Sequence, residues 1–332
     1  YEMSASLVGS EMCIRDRKRI ISVLLATVFA LSVIGCGTKD TKEQDAYRQY
    51  GITCMESGKY EDAVKAFQNA LGESIGHIGE KELDICFYKA KAQALDGKTK
   101  DALATYNAII KYNKDARAYY LRGDLYMDMG EEKKGRADFE SAVQQGKKNY
   151  EIYIGIYESL SRHEKKDEGQ KYLSAAMEIK GDKPEDELYK GRISYLLGEN
   201  KDAISYLEKA KEHKQMLASY YLGLAYDANG DSDKAKKCIA EYIKSGVATS
   251  YDLYELGMQE MQDGNYKNAL TYFNSGLELE KVPNKQNLMK SAIAAYEYSG
   301  DFDSAKKMMK EYLKAYPDDE EAKHENTFLE TR

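Results

Sequence analysis

The sequence predicts an all-α fold, an α-α superhelix of about eight stacked helical hairpins closed by a C-terminal helix. Three observations carry this. A pattern of glycine, aromatic and small residues returns roughly every 34 residues along most of the chain. Only 3 prolines occur in 332 residues, and proline breaks helices by deleting a donor and clashing one turn back. No alternation of strands with helices is visible. The 29 tyrosines against 7 phenylalanines suit packing surfaces that stay partly wet, as in a thin array of helices or a binding groove.

In chain order, residues 1–16 lack a starting methionine and resemble translated sequencing-adapter read-through. They are set apart as an artefact, Cys13 included. Arg17-Lys18-Arg19 then precede an uncharged, mainly apolar run from Ile20 to Ile34, short for a membrane span and suited to a signal peptide. The run ends in Leu31-Ser32-Val33-Ile34-Gly35-Cys36, which resembles a bacterial lipobox. That resemblance implies a lipoprotein signal peptide over 17–35 and a diacylated, palmitate-bearing Cys36. Two acyl chains, at about 0.8 kcal/mol per buried methylene, hold a protein on a bilayer where one does not. The expected location is therefore the extracytoplasmic face of the cell membrane, lipid-anchored. Residues 36–44 are polar and read as a flexible tether.

The repeat begins near Asp45. Tyr50-Gly51, Gly58-Lys59-Tyr60-Glu61-Asp62-Ala63, Phe67 and Ala70 return as Leu256-Gly257, Gly264-Asn265-Tyr266-Lys267-Asn268-Ala269, Phe273 and Gly276. A further copy runs through Arg122-Gly123, Gly130, Gly135, Phe139 and Ala142. The small residue of each second helix falls at Ala63, Ala102, Gly135, Gly169, Ala203, Ala235, Ala269 and Ala305, with gaps of 39, 33, 34, 34, 32, 34 and 36 residues. This pattern resembles the tetratricopeptide repeat over roughly 45–319. The resemblance implies a right-handed solenoid of helical hairpins. Tyr157 and Ile293 stand where the pattern has glycine, Glu164 replaces the turn glycine of the fourth copy, and only Pro317 fills the closing proline.

The spacing has a physical reading. Glycine at 51, 123, 191, 223 and 257 lets the second helix approach closely. Phe67, Tyr106, Phe139, Leu173, Leu207, Ile239, Phe273 and Met309 fill the space between neighbouring hairpins. Glycines at 58, 97, 130, 198, 230, 264 and 300 allow the positive φ that ends each first helix. A hairpin with two apolar sides cannot bury both alone, so neighbours stabilise each other and the last one needs a cover. Residues 320–332 read as that capping helix, with Asp318-Asp319-Glu320-Glu321 at its positive end.

The resemblance also implies function. First helices of the family line a groove for extended peptides or partner helices. Phase places Arg48, Met55, Tyr120, Met127, Leu188, Arg192, Tyr195, Tyr220, Tyr251, Tyr254, Met258 and Met261 on or near it. Tyrosine and arginine are hot-spot residues, and methionine adapts to varied apolar partners. A carboxylate clamp is not reproduced, because its positions hold Arg48, Ile52, Tyr88, Arg117 and Leu121. The expected protein is a membrane-anchored scaffold for protein or peptide partners in envelope or secreted-protein assembly. The alternative is an extracytoplasmic receptor for a glycan or peptide.

A formal charge of −7 argues against nucleic acid. No catalytic set, metal or cofactor is expected, since His77, His163, His213 and His324 lie in separate stretches. Gly97-Lys98-Thr99 reads as a turn rather than a phosphate loop, and Arg122-Gly123-Asp124 falls inside a helix. Cys54 and Cys238 read as small buried hydrophobes, and the sequence leaves open whether Cys54 pairs with Cys86.

Overall fold

The computed structural model describes residues 39–74, 78–181 and 183–332, with side chains from residue 42. The leader at 1–35 and the lipidation candidate Cys36 lie outside the described residues. Those described form 17 helices and no strand. None of these helices is long and apolar enough to cross a membrane.

Contacts divide the chain into two compact units, with the boundary between Lys244 and Ser245. The first holds six hairpins: α1 (Lys39–Glu56) with α2 (Tyr60–Gly72), α3 (Glu80–Leu95) with α4 (Thr99–Asn113), and α5 (Ala116–Asp128) with α6 (Glu132–Gln145). There follow α7 (Tyr150–Arg162) with α8 (Lys166–Met177), α9 (Pro184–Leu197) with α10 (Asn200–Glu212), and α11 (Leu217–Ala228) with α12 (Ser232–Lys244). The second unit holds α13 (Ser250–Gln262) with α14 (Tyr266–Leu277), α15 (Lys285–Tyr298) with α16 (Phe302–Ala315), and the closing helix α17 (Glu320–Leu329).

Each first helix stops by the same device. The N–H of Lys59 donates to the carbonyl of Cys54 at 2.8 Å and that of Gly58 to Met55 at 3.1 Å, with Gly58 at φ +70°. This is a Schellman closure, which satisfies carbonyls that the helix end would leave bare. All seven turn glycines adopt positive φ, between 70° and 84°. The fourth hairpin keeps the bonds with a different residue: Glu164 takes φ 60° while Lys165 N–H donates to Leu160 at 2.8 Å.

The eight filler side chains are all buried. A Cβ on Gly51 would stand 2.6 Å from the Phe67 ring, and one on Gly123 would stand 2.9 Å from Phe139. No side chain fits there without moving the filler. Gly191, Gly223 and Gly257 meet Leu207, Ile239 and Phe273 in the same way. The fourth hairpin inverts the arrangement. Tyr157 occupies the glycine position, and the room it needs comes from Gly169, where a Cβ would lie 3.1 Å from the Tyr157 ring. Thus the departure at 157 is matched by a smaller residue on the facing helix.

One boundary needs correcting. Residues 39–44, expected within the flexible tether, belong to α1. The reason is Gln44, which is buried and donates to Ser74 at 2.6 Å and to Glu82 at 2.9 Å, tying the first turns of α1 to the start of α3. Cys54, Cys86 and Cys238 are all free thiols, so Cys54 and Cys86 do not pair.

Candidate partner-binding face

Within the first unit, first helices of adjacent hairpins also pack on one another, α1 on α3, α5 on α7 and α9 on α11. Their shared face is crossed by a ladder of arginines. Arg48 on α1 reaches Asp84 on α3 at 2.6 Å and lies 5.2 Å from the centre of the Tyr88 ring. Arg117 on α5, held by Asp115, sits 4.5 Å above the Phe87 ring of α3. Arg162 on α7 binds Asp124 on α5 at 2.5 Å. Arg192 on α9 binds Glu158 at 2.9 Å and Glu151 at 3.3 Å, both on α7, and lies 5.5 Å from the Tyr221 ring of α11. Every step from α1 to α11 therefore carries one arginine contact.

The inner rungs are the most desolvated. Burial disfavours the Arg192 charge, but Tyr221, Glu158 and Glu151 outweigh it and hold its pKa well above the usual guanidinium value. Burial pushes the Glu158 carboxyl above the usual carboxylate range, with Arg192 offsetting only part of the rise. Burial likewise raises the Tyr120 phenol far above its ordinary value, helped by Asp124 and Glu158.

Six of the twelve residues expected on the groove are buried: Tyr120, Met127, Leu188, Arg192, Tyr254 and Met261. Each has a packing reason. Tyr120 stacks on Phe139, with ring centres 6.3 Å apart, and fills the hollow left by Gly155. Met127 occupies the space over Gly135, and Leu188 joins the cluster around Leu207 and Tyr221. Tyr254 and Met261 pack about Phe273 in the second unit. Arg192 is consumed by the ladder. As groove contacts these six are corrected.

The other six, Arg48, Met55, Tyr195, Tyr220, Tyr251 and Met258, are half-buried. In the first unit Met55, Tyr195 and Tyr220, like Ile52, Tyr88, Leu121, Tyr189 and Leu224, are half-buried side chains of first helices. Phase reasoning passed over Tyr189, which stacks on Tyr150 at 5.1 Å, and the carboxylates that engage the arginines. The bonded partners lie 34 to 41 residues apart, one hairpin along, a distance at which sequence does not reveal pairing. The face offers apolar surface with phenol groups between arginines that are already neutralised.

Comparison with known proteins bears on the repeat. A family model described as tetratricopeptide repeat matches residues 51–110 and 89–150, and a second of the same description matches 217–245 and 286–319. No curated protein matches the chain. Among solved structures it is similar to a tetratricopeptide repeat protein from Parabacteroides merdae, with 12% identity, 76% of this chain and 99% of that one covered, and a TM-score of 0.45. It is also similar to PilW, a type IV pilus biogenesis factor, at 18% identity over 63% of this chain and 97% of the other, with a TM-score of 0.43. Its in-phase glycines, Schellman turns and filler residues, with family matches on four segments, make the chain a tetratricopeptide repeat protein.

Proposed function

We propose that this protein is a membrane-anchored scaffold that holds protein or peptide partners along the first-helix face, in the assembly of envelope or secreted proteins. Tetratricopeptide repeat proteins are typically interaction scaffolds, and the observation that carries the reading here is the row of half-buried Ile52, Met55, Tyr88, Leu121, Tyr195 and Tyr220. These side chains keep apolar area at the surface although the neighbouring core positions are filled. Rigid aromatic anchors with little rotamer entropy to lose are what a partner's side chains pack on. The neutralised arginines between them set register more than affinity. Anchoring is read from the basic, apolar and Leu31–Cys36 segments of the sequence. Two acyl chains on Cys36 would keep the hairpins at the outer surface of the bilayer.

Two experiments test the two halves. Metabolic labelling with a fatty-acid analogue should mark the wild type and leave Cys36→Ala unmarked and released from the membrane fraction. Equal labelling of both would remove the anchor from the proposal. Cross-linking in intact envelopes should give partner adducts from a photoreactive residue at position 52 or 121, and these should vanish in the Met55→Ala/Tyr88→Ala background. Adducts that persist there, or that match those of an unrelated anchored protein, would overturn the binding face.

A further inference from the structure

We propose that α17 is a pH-sensitive latch on the last hairpin: Glu297, near the end of α15, and Glu325, on α17, share one proton across their interface. The cap is held down while that proton is bound and loosens as it leaves.

The geometry is unusual for two acids. Both residues are half-buried, and the Oε1 atom of each is shut off from solvent. Among the described residues no donor from the rest of the chain reaches either Oε1. The acid that bears on Glu297 is Glu325, and the two helices pack together through Ile293, Ala322 and Leu329. A carboxylate only accepts, so such a pair holds together when one member keeps its proton and donates.

The surrounding charges are already committed. On α15, Lys290 is engaged by Asp319 at 2.7 Å and lies 3.9 Å from Glu321. Lys323 on α17 pairs with Glu320 at 2.7 Å, and Lys306 on α16 lies 3.9 Å from Asp303. Glu260 on α13 accepts from Asn268, and Arg332 lies over the rings of Phe302 and Phe328. His324 is exposed. Burial and the Glu325 charge together push the Glu297 carboxyl up to about 7, with no cation offsetting them.

The sign follows from the direction of that rise. A folded-state value above the unfolded one means the contribution is complete below the ordinary carboxylate range. It is lost as pH climbs through about 7. The other end of α17 titrates oppositely. Burial works against ionisation of Asp319, but Lys290, Tyr312 and the Ala322 N–H outweigh it and bring its value down to about 2. That contact fails only in strong acid. The cap is therefore fastest in mildly acidic solution, and above neutrality its grip on Met289, Ile293, Met309 and Tyr312 slackens.

Amide exchange of α17 in the full chain, corrected for the intrinsic pH dependence of exchange, tests this. Wild-type protection should fall about tenfold from about pH 6 to about pH 8. In Glu297→Gln or Glu325→Gln the amide donates without titrating, and the fall should disappear. Wild-type protection that does not change with pH, or a glutamine variant that keeps the wild-type slope, would overturn the latch. Should one variant fail to fold, carboxyl NMR of the wild type decides. A Glu297 midpoint near 7 supports the shared proton, and one in the ordinary carboxylate range refutes it.

Discussion

Glu164 sits where seven hairpins place a glycine, yet it adopts the same left-handed conformation. A β-carbon there crowds the following carbonyl by about 1–2 kcal/mol, whereas glycine costs about 0.5–1 kcal/mol of chain entropy. Glu164→Gly should thus raise stability by about 0.5–1 kcal/mol in urea unfolding, with the slope unchanged. At Gly51 the balance runs the other way. Alanine would gain about 1 kcal/mol of helix propensity, but its Cβ would stand 2.6 Å from the fully buried Phe67 ring. Gly51→Ala should lose about 1–2 kcal/mol net, and Phe67→Leu should restore part of it. Gly72→Ala, with nothing within 4 Å, is the control and should lose nothing.

Between helices, the rungs of the arginine ladder differ in worth because they differ in burial. Arg48 and Asp84 are 27% and 29% exposed, so Arg48→Met should cost about 1 kcal/mol or less. Arg192 is 8% exposed and faces two half-buried acids, and removing it leaves Glu158 with only the more distant Arg162 as counter-charge. Arg192→Met should cost about 3–5 kcal/mol at neutral pH by chemical denaturation. The pH dependence has a definite sign. Glu158 already titrates above the usual carboxylate range, and loss of Arg192 raises it further. A raised folded-state value contributes stability at low pH and loses it as pH increases, so the Arg192→Met deficit should shrink on acidification. A deficit independent of pH would show that Glu158 is solvated in the variant.

At the scale of the whole molecule, helices within each unit touch the next helix or the next hairpin, so stability is a chain of neighbour terms. Damage should stay near its origin. Amide exchange in Gly51→Ala should lose protection over α1 to α3 and keep it in α9 and α10. Uniform loss across 39–244 would mean that the first unit unfolds as one body. Deleting residues 320–332 should uncover Met289, Ile293, Met309 and Tyr312, lower protection in α15 and α16, and raise binding of a hydrophobic dye.

The amino-acid sequence by itself determined where first helices stop, which glycines turn the chain, and which bulky residue each small one faces. These are consequences of local backbone conformation and of a strict period, and both are written in residue order. Only the tertiary structure decided that Tyr120, Met127 and Leu188 are core, that α1 begins at Lys39, and that Arg48 and Arg192 clip hairpins together. It also shut one carboxyl oxygen each of Glu297 and Glu325 off from solvent. The physical reason is rotation. Phase assigns a residue to a side of its helix, but burial and ion pairing depend on how far each helix turns about its axis against the next. That angle is a balance of packing over many side chains at once.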